Sequence, residues 1–183
     1  MTHLAHFDGL FPALPRHSLR GARYLALLAA ITAASVPLLA LMYRWLDDDA
    51  AAIAILFAGA AMVTATLLLR TGASLGLARN GFIGSLFVLK VWMAFHYGGL
   101  NAATTGWFVL CPLVAALTGG TRAAVVWSAL VFKAYVVLFL WSRFVGPFIP
   151  YPVRAPDVLA LAGQLGLLVL VTVIALCFRA END

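Results

Sequence analysis

The chain has 183 residues, of which 64% are hydrophobic and only 10% charged, with a mean hydropathy of +1.00. Soluble domains carry roughly 45 to 50% apolar and 25% charged residues, so the composition excludes a water-soluble enzyme or binding module and predicts an integral membrane protein. The net charge of +5 is spread over basic residues that stand singly, a pattern of membrane topology rather than of a nucleic-acid face.

Residues 1–20 mix His3, His6, Asp8, His17 and Arg20 with Leu4, Phe7 and Phe11, and read as a cytosolic segment lying on the membrane surface. The spacing of the histidines and Asp8 matches no metal site and Pro12 and Pro15 break any single helix, so no metal and no cofactor is expected. The first span, 22–43, and the second, 50–69, flank the acidic turn Asp47-Asp48-Asp49. Ala50, Ala54 and Ala58 fall at i, i+4 spacing with Gly59 beside them, a stripe that packs either inside the bundle or across a homodimer.

A polar hinge from Arg70 to Gly81 leads to the third span, 82–97, which ends in Lys90, Trp92, Phe95, His96 and Tyr97 before the turn Gly98-Gly99-Leu100-Asn101. The fourth span, 105–117, holds Pro112, expected to kink it, and is followed by a turn at Gly119 and Gly120. The fifth, 123–141, carries Lys133 and Trp141; a proline-rich loop over 147–152 then leads to the sixth, 158–178, and residues 179–183 begin a cytosolic tail. Cys111 and Cys177 lie on different spans, as small buried hydrophobes rather than a disulfide.

These elements predict an all-α polytopic protein, a six-helix bundle over residues 21–178. Six crossings place Arg16, Arg20, Arg23, Arg70, Arg79, Arg122 and Arg179 on one side against Arg44, Arg143 and Arg154 on the other. The richer side is cytosolic, so both termini are expected inside a bacterial inner membrane.

Lys90 and Lys133 each stand eleven residues from an arginine at a span edge, roughly 16 Å by helical rise, and no acidic residue lies in any predicted span to pair with them. An ionisable side chain at that depth costs on the order of 3 kcal/mol on the lenient insertion scale and marks a ligand, an ion path or a partner, unless its stem snorkels to water. If both face one cavity, an anion or polarised carbonyl between them relieves the repulsion. Trp92, His96, Tyr97, Asn101 and Trp141 are the candidate wall of such a site for a hydrophobic or weakly anionic small molecule. The same aromatics also fit an interfacial belt with no ligand. Paired acids, HExxH motifs, histidine boxes and phosphate loops are absent from the sequence, so no enzymatic activity of this chain is expected.

Arg70-Thr71-Gly72, then Tyr97-Gly98-Gly99-Leu100-Asn101, Trp107 through Cys111-Pro112-Leu113, and Gly119-Gly120-Thr121-Arg122 with Trp127 form an ordered series over about half the chain. The series resembles the six-helix membrane input domain that precedes bacterial sensor histidine kinases, diguanylate cyclases and some class III adenylate cyclases. In that family a Gly-Gly pair and small polar residues are followed by an aromatic, an apolar run and Pro-Leu. The resemblance implies a dimeric sensor that passes a membrane-soluble or outer-face signal down its last helix to a cytosolic output domain, here expected outside the 183 residues. It assigns no ligand-binding residue. The alternatives are a substrate-binding subunit of an importer, or an accessory subunit whose lysines pair with acids on another chain.

Overall fold

The computed structural model describes the backbone of residues 16–182 and the side chains of residues 19–175; of the surface segment expected over residues 1–20, residues 1–15 lie outside the described residues and 16–20 belong to the first helix. The helices are α1 (Arg16–Trp45), α2 (Asp49–Leu67), α3 (Leu75–His96), α4 (Leu110–Phe144) and α5 (Pro156–Asn182), with 3-10 turns between α2 and α3 and between α3 and α4, a tight turn between α1 and α2, a loop over 145–155 before α5, and no strand among the described residues. All-α architecture is thus observed. Four segments are long and apolar enough to cross a membrane: Leu19–Trp45, Asp49–Thr71, Thr105–Phe144 and Pro156–Ala175. That is four where the sequence predicted six, because Arg79 and Lys90 dilute the apolar character of α3 and the fourth and fifth spans are joined in one helical segment.

The joined segment is not straight. At Gly120 the dihedrals are φ 70° and ψ −168°, outside any helix. The two halves of α4, 110–119 and 121–144, run in opposite senses along α3. Just before the first half Trp107 lies beside Lys90, and at its end Gly119 lies beside Arg79. In the second, Trp127 donates to Asn80 and Trp141 packs on Phe95. The backbone region at Gly120 is essentially restricted to glycine and nothing lies within 4 Å of a built Cβ. Gly120→Ala is therefore expected to destabilise the bundle by about 1 to 3 kcal/mol through backbone strain alone, read as a lower midpoint in detergent unfolding.

The predicted kink at Pro112 is corrected by the same geometry. Pro112 is the third residue of α4, where its missing N–H is one of the donors a helix start leaves unpaired anyway, so nothing is broken. The polar hinge is also shorter than expected. Ser74 caps α3 by accepting from the Leu77 N–H at 3.2 Å, and Arg79, Asn80 and Gly81 are helical. Asn80 Oδ1 accepts from the Arg79 Nε and the Trp127 Nε1, so this exposed side chain has partners on its own helix and on α4.

Beside the α2 stripe, a methyl built on Gly59 would stand 2.6 Å from Val36, so α2 presses onto α1 there, while Ala50 is exposed and Ala54 and Ala58 are half-buried. The core lies between α1, α3 and the first half of α4, around Leu25, Phe82, Ile83, Phe108, Cys111 and Ala115. The outer face is apolar: Phe57, Val88, Phe132, Phe144 and Ile149 are each at least 66% exposed, an arrangement suited to lipid rather than water.

Candidate functional site

Between α1, α3, the start of α4 and α5 lies an elongated slot with a cavity volume of about 120 Å³. It runs along α1 from Leu28 to Tyr43 and along α5 from Leu159 to Ile174, roughly 22 Å by helical rise. Its floor is made of buried residues, among them Phe82, Leu86, Leu110 and Val114. Its two rims, Ile31, Thr32 and Ser35 on α1 and Ala162, Gly163 and Leu170 on α5, are only half-buried, so the slot opens sideways between these two helices.

Two polar groups in this apolar wall are not satisfied by protein. Lys90 is 7% exposed, and its ammonium meets only the weak acceptor Met93 Sδ at 3.7 Å and the face of Trp107, 4.6 Å from the ring centroid. Among the described residues no carboxylate comes within ion-pair distance of it. Thr104, 4% exposed, has a buried Oγ1 with no hydrogen-bond partner. Buried donors are nearly always paired, and an ammonium left with a sulfur and a ring is short of acceptors. Of the other hydroxyl side chains lining the slot, Thr32 donates to Leu28 O at 2.8 Å and Ser35 to Thr32 O at 3.4 Å, while the Tyr43 ring packs against Tyr97 at the Asp48 end.

Trp107 joins the slot to α5. Its indole N–H donates to Gly163 O at 3.0 Å, and its six-membered ring lies so close to Gly166 that a methyl there would approach to 3.1 Å. One face of the ring carries the Lys90 ammonium. A single aromatic side chain thus touches both the unsatisfied charge and the last helix.

A second cluster closes the bundle at the end where α1 meets α2. Asp48 is fully buried; its Oδ1 accepts from the Ala51 N–H at 2.9 Å and so caps α2, while its Oδ2 accepts from the Tyr97 hydroxyl at 2.5 Å and lies 2.9 Å from His96 Nε2. His96 is stacked between Trp92 and Tyr151, and the Tyr151 N–H donates to His96 O at 2.9 Å. The loop before α5 is strapped to the same end by Arg154, whose N–H donates to Leu46 O. With its oxygens engaged by three groups, Asp48 reads as a structural lock.

The sequence-predicted residues divide accordingly. Lys90 lines the slot and stands about one turn from the middle of α3, on the side of its Asp48 end. Trp92, His96 and Tyr97 belong to the Asp48 cluster instead. Lys133 does not share a cavity with Lys90. Val131 and Tyr135 turn into the core, Tyr135 donating to Thr105 O, so Lys133, about 200° round from Tyr135, is exposed on the outer face of α4. Trp141 packs on Phe95 and Phe148, and Asn101 is exposed, both away from the slot. Gly98 and Gly99 have φ of +106° and +72° and make the turn that returns Thr105 to α3, where its hydroxyl donates to Gly99 O.

Thr104 is not singled out in the sequence, Trp107 enters only through the family-like series and Asp48 only as part of the acidic turn. Only Asp48 carried a readable signal, an N-cap residue before an alanine-rich helix. A wider hollow of about 520 Å³ lies against α2 and α3, but its polar groups Asn80 and Ser85 already have partners, Ser85 donating to Gly81 O at 2.9 Å. Comparison with protein-family models, with curated proteins and with solved structures finds no match to this chain.

Proposed function

We propose that the chain is a membrane-embedded sensory input module, in which a membrane-soluble or weakly anionic small molecule enters the slot and changes the seating of α5, the helix that carries the signal to a cytosolic output domain. The observation that carries this reading is the pair of unsatisfied donors, Lys90 and Thr104, facing a slot that opens on the bilayer. The relay is supported by Trp107, which lies against Lys90 on one face and donates to α5 at Gly163. A ligand that prefers one seating of α5 biases the equilibrium only by its difference in affinity for the two states.

The same reading takes α3 and the two halves of α4 as crossings alongside α1, α2 and α5, giving six in all. The reversal at Gly120 supports this, since a 40-residue segment is roughly 60 Å long by helical rise, twice the hydrocarbon core of about 30 Å. With the excess of arginines inside, both termini are cytosolic in a bacterial inner membrane, and the functional unit is a homodimer. Native mass spectrometry of the protein extracted from its membrane tests the reading. A bound small molecule is expected on the unaltered chain and absent from Lys90→Met; no bound species on either contradicts it.

A further inference from the structure

We infer that the slot takes the carboxylate of a single-chain lipid acid, with Lys90 and Thr104 holding the head and the hydrocarbon chain leaving between α1 and α5. This rests on the sensory reading and names the chemical class of its ligand.

The head group follows from counting charges and donors. The slot offers one positive charge and, from Lys90 and Thr104, a small set of N–H and O–H donors whose one protein acceptor is the weak Met93 Sδ. A carboxylate supplies one negative charge and two oxygens, one for each side chain. A phosphate brings up to two charges and more oxygens than these two side chains satisfy, which leaves buried acceptors unpaired. A neutral ketone or alcohol accepts the hydrogen bonds but leaves the ammonium uncompensated in an apolar wall. The hydroxyls of Thr32 and Ser35, bonded to their own helix, add nothing that would favour a larger polar head.

The tail follows from shape. A cavity of about 150 Å³ takes one benzene-sized ligand, and this slot has about 120 Å³. It therefore encloses a head and a few carbons, not a whole amphiphile. Its length of roughly 22 Å along two half-buried rims suits a narrow linear chain whose remainder lies in the bilayer, whereas a ring system would have to part α1 from α5. Ile31, Val36 and Leu39 on one side and Ala162 and Leu170 on the other present only apolar surface to it.

The test uses the full chain in phosphatidylcholine nanodiscs with a palmitic acid bearing a diazirine near its carboxyl end. After irradiation, adducts are expected on the peptides of α1 and α5 that rim the slot, and oleic acid is expected to suppress them at least tenfold more effectively than oleyl alcohol. Lys90→Met should abolish that preference, Lys90→Arg should retain it, and Lys133→Met should leave it unchanged. The acid and alcohol are compared on the unaltered protein, so the result does not depend on how a variant folds. Equal competition by the alcohol overturns the carboxylate assignment while leaving slot binding, and with it the sensory reading, intact. Adducts spread evenly over the lipid-facing side of α4, around Val125 and Phe132, or no adduct at all, overturn the inference. The sensory reading is then judged separately by the species that co-purifies.

Discussion

Lys90→Met is expected to make the protein more heat-stable and, at the same time, unable to retain its ligand. Lys90 is buried with no acidic partner among the described residues, so its ammonium is desolvated without compensation when the slot is empty. Exchanging a buried ionic group for an apolar side chain of similar length is neutral or stabilising by about 1 to 4 kcal/mol. Methionine fills nearly the same volume beside Trp107 and Met93 and brings no charge. A purely structural lysine, contributing through Met93 and the Trp107 ring, predicts the reverse, a loss of stability. Thermal unfolding in detergent, read on protein freed of bound lipid, separates the two: a midpoint raised by several degrees fits a site kept for a ligand, and a lowered one fits a packing role.

Asp48→Ala carries the largest expected loss of stability in the chain. The substitution strands the Ala51 N–H and the Tyr97 hydroxyl, deprives His96 of its partner, and uncaps α2. Removing one partner from a buried, fully used carboxylate site costs about 3 to 5 kcal/mol, of which the cap alone accounts for about 1. The neighbouring Asp49 is the natural control, since it pairs with Arg44 at 3.2 Å but both side chains are more than two-thirds exposed. An exposed pair of this kind contributes about 0 to 1 kcal/mol, so Asp49→Ala should be near neutral in the same unfolding assay. Loss of the Asp48 lock should also loosen the loop before α5, because Tyr151 is held by stacking on His96 and by its N–H to the His96 carbonyl.

Much of this architecture was legible from residue types. Hydropathy located the apolar helices and the missing acid beside Lys90 marked it as unusual, because both depend on composition along one chain segment. The pairing of Lys90 with Lys133 failed for a reason that depth cannot supply. Two side chains at equal height share a cavity only if their helices are rotated toward each other, and Tyr135, not Lys133, faces inward from α4. Likewise Pro112 advertised a kink that its place in the first turn of α4 makes needless, whereas the break sits at Gly120, within the glycine turn that the sequence places between the fourth and fifth spans. Thr104 bears no signature in sequence, and the series that contains Trp107 assigns it no part in a site. Their roles arise from the fold, which brings an unpaired hydroxyl and an indole against a lysine on another helix.

The central claim is that occupancy of the slot beside Lys90 moves α5. Spin labels at Val169 on α5 and Val125 on α4, both exposed, in a chain with Cys111 and Cys177 replaced by alanine, report that movement as a distance distribution. On adding oleic acid to the protein in nanodiscs, the mean distance should shift by about 1 to 2 Å, the scale of helix displacements in switching proteins, and the shift should vanish in Lys90→Met. A distribution unchanged by the acid, or changed equally in Lys90→Met, would contradict the account.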